Sequence, residues 1–221
     1  MRFTDADYDL ITRAVEQAEE KTTAELVVVI RPFSGSYRDV AYLFSAGVAW
    51  LVLIFILFSS WEIEPYTIPL EIIPFFLVPA LLFLVTPLRR WLTSNRRRKR
   101  QVQAAARDAF FTEGVARTRA HTGVLIYLSA LERRVEVLAD SGVRTSFPLT
   151  EWNAFVEGIQ QVWMKSAPAS ALIIEINRLG DLLGRYLPAS ADNPNEIPNR
   201  PRGERRQKKR KETKQSEVAA R

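Results

Sequence analysis

Three observations predict an α/β fold, a three-layer α/β/α domain interrupted by a two-helix transmembrane hairpin. The run "AELVVVI" at 24–30 is continuous and β-branched, the pattern of a strand covered on both faces. A second such run, "TGVLIYLSA" at 122–130, lies far downstream, and amphipathic helical segments flank both. Between the two runs, residues 40–88 are far more apolar than anything around them, although the mean hydropathy of the whole chain is only -0.09.

The first helix has a readable start. In "FTDADYDLITRAVEQAEEKT" Thr4 has the place of an N-cap with Asp7 three positions on, and Phe3 and Tyr8 have the spacing of a hydrophobic staple. Apolar positions 10, 11, 14, 15 and 18 form one face. The 24–30 strand follows.

From Val40 to Trp61 no residue is charged, and about 22 residues at ~1.5 Å each reach ~33 Å, enough for a hydrocarbon core of ~30 Å. A second apolar stretch, "PYTIPLEIIPFFLVPALLFLVTPL", is interrupted by Glu71 and by Pro69, Pro74 and Pro79, which predicts a kinked span with Glu71 at headgroup depth. Trp61, Tyr66 and Trp91 have the positions of interfacial anchors. The block "RRWLTSNRRRKR" at 89–100, opened by Arg89 and Arg90, holds seven positive charges and no acid, so it is expected on the cytoplasmic side. Two crossings then put both termini in the cytoplasm of an inner (plasma) membrane, multi-pass protein. The polar N-terminus lacks the apolar region of a cleavable signal, so the first span is expected to be a retained anchor.

After the hairpin, "QVQAAARDAFFTEGVARTRA" is helical, the 122–130 strand follows, "LERR" is a turn, and "VEVLADSG" alternates like a strand with one wetter face. Two helices close the order, "LTEWNAFVEGIQQVWM" with Trp152, Phe155, Val156, Ile159, Val162 and Trp163 at helical spacing, and "ALIIEINRLGDLLGRYL" to 187. The expected organisation is therefore 1–38 as the first part of the α/β domain and 39–88 as the hairpin, with spans at about 40–61 and 66–88. A basic juxtamembrane segment at 89–100, the second part of the domain at 101–190 and a disordered basic tail at 191–221 complete it. Neither half of the domain buries its strands alone, so the two halves are expected to fold together.

The pI of 9.8 comes from two blocks. From Arg200 to Arg221 ten Lys or Arg face three Glu, a net +7 against +6 for the whole chain. Such blocks suit anionic lipid, and no nucleic-acid partner is expected. There is no cysteine, which excludes disulfides, thiolate metal sites and Cys nucleophiles, and no phosphate loop, paired-His metal motif or nucleophile elbow.

The order αβ, hairpin, αββαα, with "KTTAELVVVI", "HTGVLIYLSALERRVEVLADSGV" and the "LTEW" helix start, resembles the TPM-domain family over roughly 3–31 and 101–187. That family has an α/β/α domain found in photosystem repair proteins and many bacterial membrane proteins. The inserted hairpin departs from members with a single C-terminal anchor. Some members are acid phosphatases or metal binders, so the resemblance implies Asp140 and Glu151 as ligands of Ca or Mg, with His121 as a neighbour. The acid that the family carries before the second strand is replaced here by "HTG", His121 to Gly123. Read by themselves, Asp140 is a turn residue, Glu151 a first-turn acid favoured by the helix dipole, and His121 a loop donor. The expectation is a non-catalytic accessory in membrane-protein assembly, repair or quality control, bound to the bilayer and to a membrane-protein partner. A membrane-anchored metal-dependent acid phosphatase and a hairpin-packed subunit of a larger membrane complex are the alternatives.

Overall fold

The computed structural model describes residues 3–59, 67–85, 92–190 and 196–203. They form a mixed α/β protein that divides into two compact units, Met1–Ser34 with Lys99–Arg221, and Gly35–Arg98.

The first unit is built on a three-stranded sheet. Helix α1 (Asp5–Glu19) starts at a capping box, in which the Thr4 hydroxyl accepts from the Asp7 N–H at 3.2 Å and the Asp7 carboxylate accepts from the Thr4 N–H at 2.7 Å. Phe3 and Tyr8 staple the turn with ring centroids 6.4 Å apart. Strand β1 (Glu25–Arg31) pairs in parallel with β2 (Gly123–Ser129), from Glu25 opposite Gly123 to Arg31 opposite Ser129. Strand β3 (Arg134–Ala139) pairs antiparallel with β2, giving the order β1-β2-β3. The first and second stretches of the chain are thus joined by the central ladder.

Because β1 and β2 alternate their side chains, each feeds two cores. Leu26, Val28, Ile30, Val124, Ile126 and Leu128 meet α1, α6 (Leu149–Gln160) and α7 (Pro168–Tyr186) on one face. Val27, Val29, Leu125 and Tyr127 meet α4 (Asn95–Thr112) on the other. Helices α1 and α7 approach so closely at Gly180 that a Cβ there would lie 2.7 Å from the Ala18 backbone.

Four local expectations differ from what is observed. Helix α4 begins at Asn95, inside the stretch read as a separate basic segment, because Ser94 Oγ accepts from the Arg97 N–H at 3.3 Å and the straight-chain cations that follow are good helix formers. The third strand, read as alternating on to Gly142, ends at Ala139, and Asp140 caps a short helix, α5 (Ser141–Ser146). Leu10, placed on the apolar face of α1, is 49% exposed. Most consequential, Glu196–Gly203 is not a disordered tail. Arg202 bridges Val29 in parallel, accepting from the Ile30 N–H at 3.0 Å and donating to Val28 O at 2.9 Å, while Ile197 is buried in the second core. At the free edge of β1 this segment thus takes up Val28 O and the Ile30 N–H, which hydrophobic periodicity does not reveal.

The second unit is a pair of apolar helices, α2 (Arg38–Phe58) and α3 (Ile68–Val85). They meet through Ala41, Ser45 and Ala49 on α2 and Ala80 and Phe83 on α3, with Phe44 and Phe83 rings 6.4 Å apart. Helix α2 has 21 residues and a mean hydropathy of 2.5 over its most apolar 18, long and apolar enough to cross a membrane. The apolar part of α3, Ile68–Phe83, is shorter. Pro74 and Pro79 lie inside α3, and Glu71 sits in its first turn, where its carboxylate accepts from the Thr67 hydroxyl at 3.2 Å. At the start of α2, Asp39 pairs with Arg97 at 2.6 Å.

Candidate functional site

His121 and Asp140 are brought together. His121 ends the loop before β2 with φ 54°, and its Nδ1 lies 3.2 Å from Asp140 Oδ2. The loop is fixed from α5, since the Gly142 N–H donates to His121 O at 2.9 Å and a Cβ at Gly142 would lie 2.7 Å from Ala120 O. Asp140 Oδ1 accepts from the Ser141 N–H at 2.6 Å, an N-cap bond. The imidazole is 63% exposed and the carboxylate 16%. The pair is a half-open corner, its ring exposed and its carboxylate largely enclosed.

Glu151 is directed elsewhere. In the first turn of α6, its Oε1 accepts from the Tyr186 hydroxyl at 2.7 Å, and its Oε2 lies 3.9 Å from Arg185 on α7. As the acceptor of that bond it holds the Tyr186 phenol above its usual range. As placed, the three side chains do not form one cation shell. One Asp140 oxygen is engaged as a cap and the other by His121, and Glu151 is tied to α7. Among the described residues no group of three or more His, Asp or Glu is gathered to hold a metal. Of the membrane-interface residues named from sequence, Trp61, Tyr66, Arg89, Arg90 and Trp91 lie outside the described residues.

The sequence reading missed the buried acids. Glu132, read only as part of a turn, is 3% exposed. It accepts from the Ser34 N–H at 3.0 Å and from the Ser129 hydroxyl, while Ser34 Oγ donates to Ser129 Oγ at 2.6 Å and lies 3.1 Å from the Tyr127 hydroxyl. Burial pushes the Tyr127 phenol up. Glu113, at the end of α4, faces Arg31 at 3.5 Å and also pairs with Arg202. Glu25 accepts from the N–H groups of Glu196 and Ile197 at 3.2 Å each, and burial raises its pKa. Glu19 accepts from the Leu26 N–H at 2.8 Å, and burial pushes it up to about 8. No periodic pattern marks these residues, because each is defined by its partners in the fold; an acid at the head of an apolar strand run, as Glu25 is, was the one local signal that could have found any of them.

The free edge of β3 opens onto a groove of about 570 Å³. Val137, Leu138 and Ala139 line it in succession. Neighbouring strand side chains point to opposite faces, so three consecutive residues meet a groove only where it runs along the strand's edge. Phe147 and Trp152, with rings 6.0 Å apart, form its wall beside Leu149, which is 72% exposed. Arg144 is the one ionisable residue among those lining it.

The fold and these sites define a mixed α/β protein with an apolar helix pair inserted into it. No protein-family model matches the chain, and no curated protein matches it significantly. Among solved structures, the chain is similar to the NMR structure of BA42 protein from the psychrophilic bacterium Bizionia argentinensis, with a TM-score of 0.56 and 17% identity over 92% of this chain and 96% of that one. At that identity the likeness is one of fold.

Proposed function

We propose that this chain is an integral, multi-pass inner-membrane protein with both termini in the cytoplasm, whose TPM-like α/β domain is a non-catalytic accessory in the assembly, repair or quality control of membrane proteins. The observation that carries the reading is α2. Only 17% of its most apolar window is buried, and Leu43, Trp50, Phe55 and Phe58 are each at least 60% exposed, an apolar surface that water does not tolerate and lipid does. Its partners on this reading are the bilayer, anionic lipid for the basic segments, and a membrane protein. Extraction of membranes at alkaline pH tests the anchor: the chain stays in the pellet if α2 is embedded, and release into the supernatant would end the reading. Co-purification from mild detergent then tests the accessory role, which requires a stoichiometric membrane-protein partner.

Two other readings each rest on one observation. The His121–Asp140 contact favours a membrane-anchored phosphatase, since an imidazole beside a carboxylate can protonate a leaving group. Phosphomonoester hydrolysis lost in both His121→Gln and Asp140→Asn would establish it. The open apolar groove between Ala49, Leu53, Ile73 and Phe76 on α2 and α3 favours a subunit packed by its helices into a larger membrane complex.

A further inference from the structure

The two outer edges of the sheet are treated differently. The edge of β1 is closed by the chain itself, through the Arg202 bridge to Val29. The edge of β3 is open along the groove. The Asp140 N–H donates to Gly123 O at 2.9 Å, which places Asp140, and with it Leu138, Glu136 and Arg134, in the positions that bond to β2. Val137 and Ala139, alternating with them and lining the groove, turn their N–H and C=O groups outward, whereas Val135 is buried. An edge strand of this kind is a template for one more strand.

We infer that the β3 edge and its groove bind an extended segment of a partner protein by strand addition, with an apolar side chain against Phe147, Leu149 and Trp152 and a carboxylate facing Arg144. The occupant is a strand because the groove runs along unpaired backbone and because this same sheet accepts an extended segment at its opposite edge. It is acidic because the groove's one charge is Arg144, exposed on α5, with no acid among the lining residues to neutralise it. The site lies wholly within the α/β unit, so it stands whether or not α2 and α3 cross a bilayer.

The test uses the full chain in detergent micelles and a capped peptide of about ten residues, alternating Thr and Val around a central Leu-Thr-Glu, so that Glu is its one charge. Amide hydrogen exchange is expected to slow at Val137 and Ala139 when the peptide binds. The peptide with Lys in place of Glu should bind about tenfold more weakly. Arg144→Glu should reverse that preference and Arg144→Gln should level it; both substitutions sit on an exposed side chain, and the gentler one keeps the test alive if the other disturbs α5. A peptide N-methylated along one edge should lose binding, because the ladder needs its N–H groups. No protection at the two amides overturns the inference, as does binding indifferent to N-methylation, which would mark a plain apolar pocket. Protection of the same amides in the protein alone, growing with its concentration, would assign the edge to a second copy and equally overturn it.

Discussion

Glu19→Gln tests the partly buried acid at the α1–β1 junction. The Glu19 carboxyl sits at the end of α1 with its Oε1 bonded to the Leu26 N–H at 2.8 Å, and burial, with smaller contributions from Glu25 and Glu16, raises its pKa from 4.5 to about 8. The folded protein therefore holds a proton that the unfolded chain releases above pH 4.5. Stability from this group is full below pH 4.5 and declines as pH rises towards about 8, the opposite of a salt-bridged carboxylate. At ~1.4 kcal/mol per pH unit the ceiling is about 5 kcal/mol by pH 8, and partial exposure and local relaxation bring roughly 2 kcal/mol into view. Gln keeps an acceptor for the Leu26 N–H and removes the proton. The variant should match the parent near pH 4.5 and exceed it increasingly towards pH 8, in urea unfolding followed by tryptophan fluorescence. Parallel curves across that range would mean that Glu19 is ionised in the folded protein, and that the junction is wetter than its geometry implies.

Val28→Asp, placing a carboxylate at a position 1% exposed between β2 and the α1–α7 core, should destabilise the unit by several kcal/mol and expose residues 101–187 to protease; unchanged resistance would show that the two stretches fold separately. Truncation after Gly203 should leave stability unchanged, whereas truncation after Ser190 should cost about 2–4 kcal/mol, because Glu25 and Glu113 lose their partners and the edge of β1 is bared. Reporter fusions after Thr93 and Arg221 should read cytoplasm and one after Glu64 the outside; an external C-terminus would defeat the proposed topology. Adding Ca or Mg should not raise the Tm of the full chain in detergent, since Asp140 and Glu151 are bonded to different elements; a clear rise abolished by Asp140→Asn would restore the cation site.

The sheet was legible because its information is local. The "LVVVI" and "VLIYL" runs mark buried strands by composition alone, and Thr4, Asp7, Phe3 and Tyr8 spell out the start of α1 within six residues. What escaped depends on contacts made far along the chain. Glu196–Gly203, with two Pro, an Asn and a Gly, looks like a linker until Glu25 and Glu113, 171 and 89 residues away in sequence, supply its bonds. The candidate site was half legible for the same reason. Asp140 and His121 flank the paired strands β2 and β3, so the hairpin register brings them together. Glu151 lies past two further turns of chain direction, and its partner Tyr186 belongs to a helix whose placement no local pattern fixes.

The place of the helix pair within the fold has a topological reason. Strands β2 and β3 are antiparallel and joined by a short loop, with Arg133 at φ 49° closing the turn, so a long insertion there would open the hairpin. Strands β1 and β2 are parallel, and a parallel pair requires a crossover of a dozen residues or more whatever the chain does in between. Here α4 packs on the sheet and completes that crossover, so the α2–α3 stretch lengthens a connection that must already be long. The entropy of closing a loop rises only with the logarithm of its length, about 0.6 kcal/mol per doubling, so the insertion costs the α/β unit little. The same insertion between β2 and β3, or within the α1–β1 junction where Glu19 bonds to Leu26, would have broken a register that the core depends on.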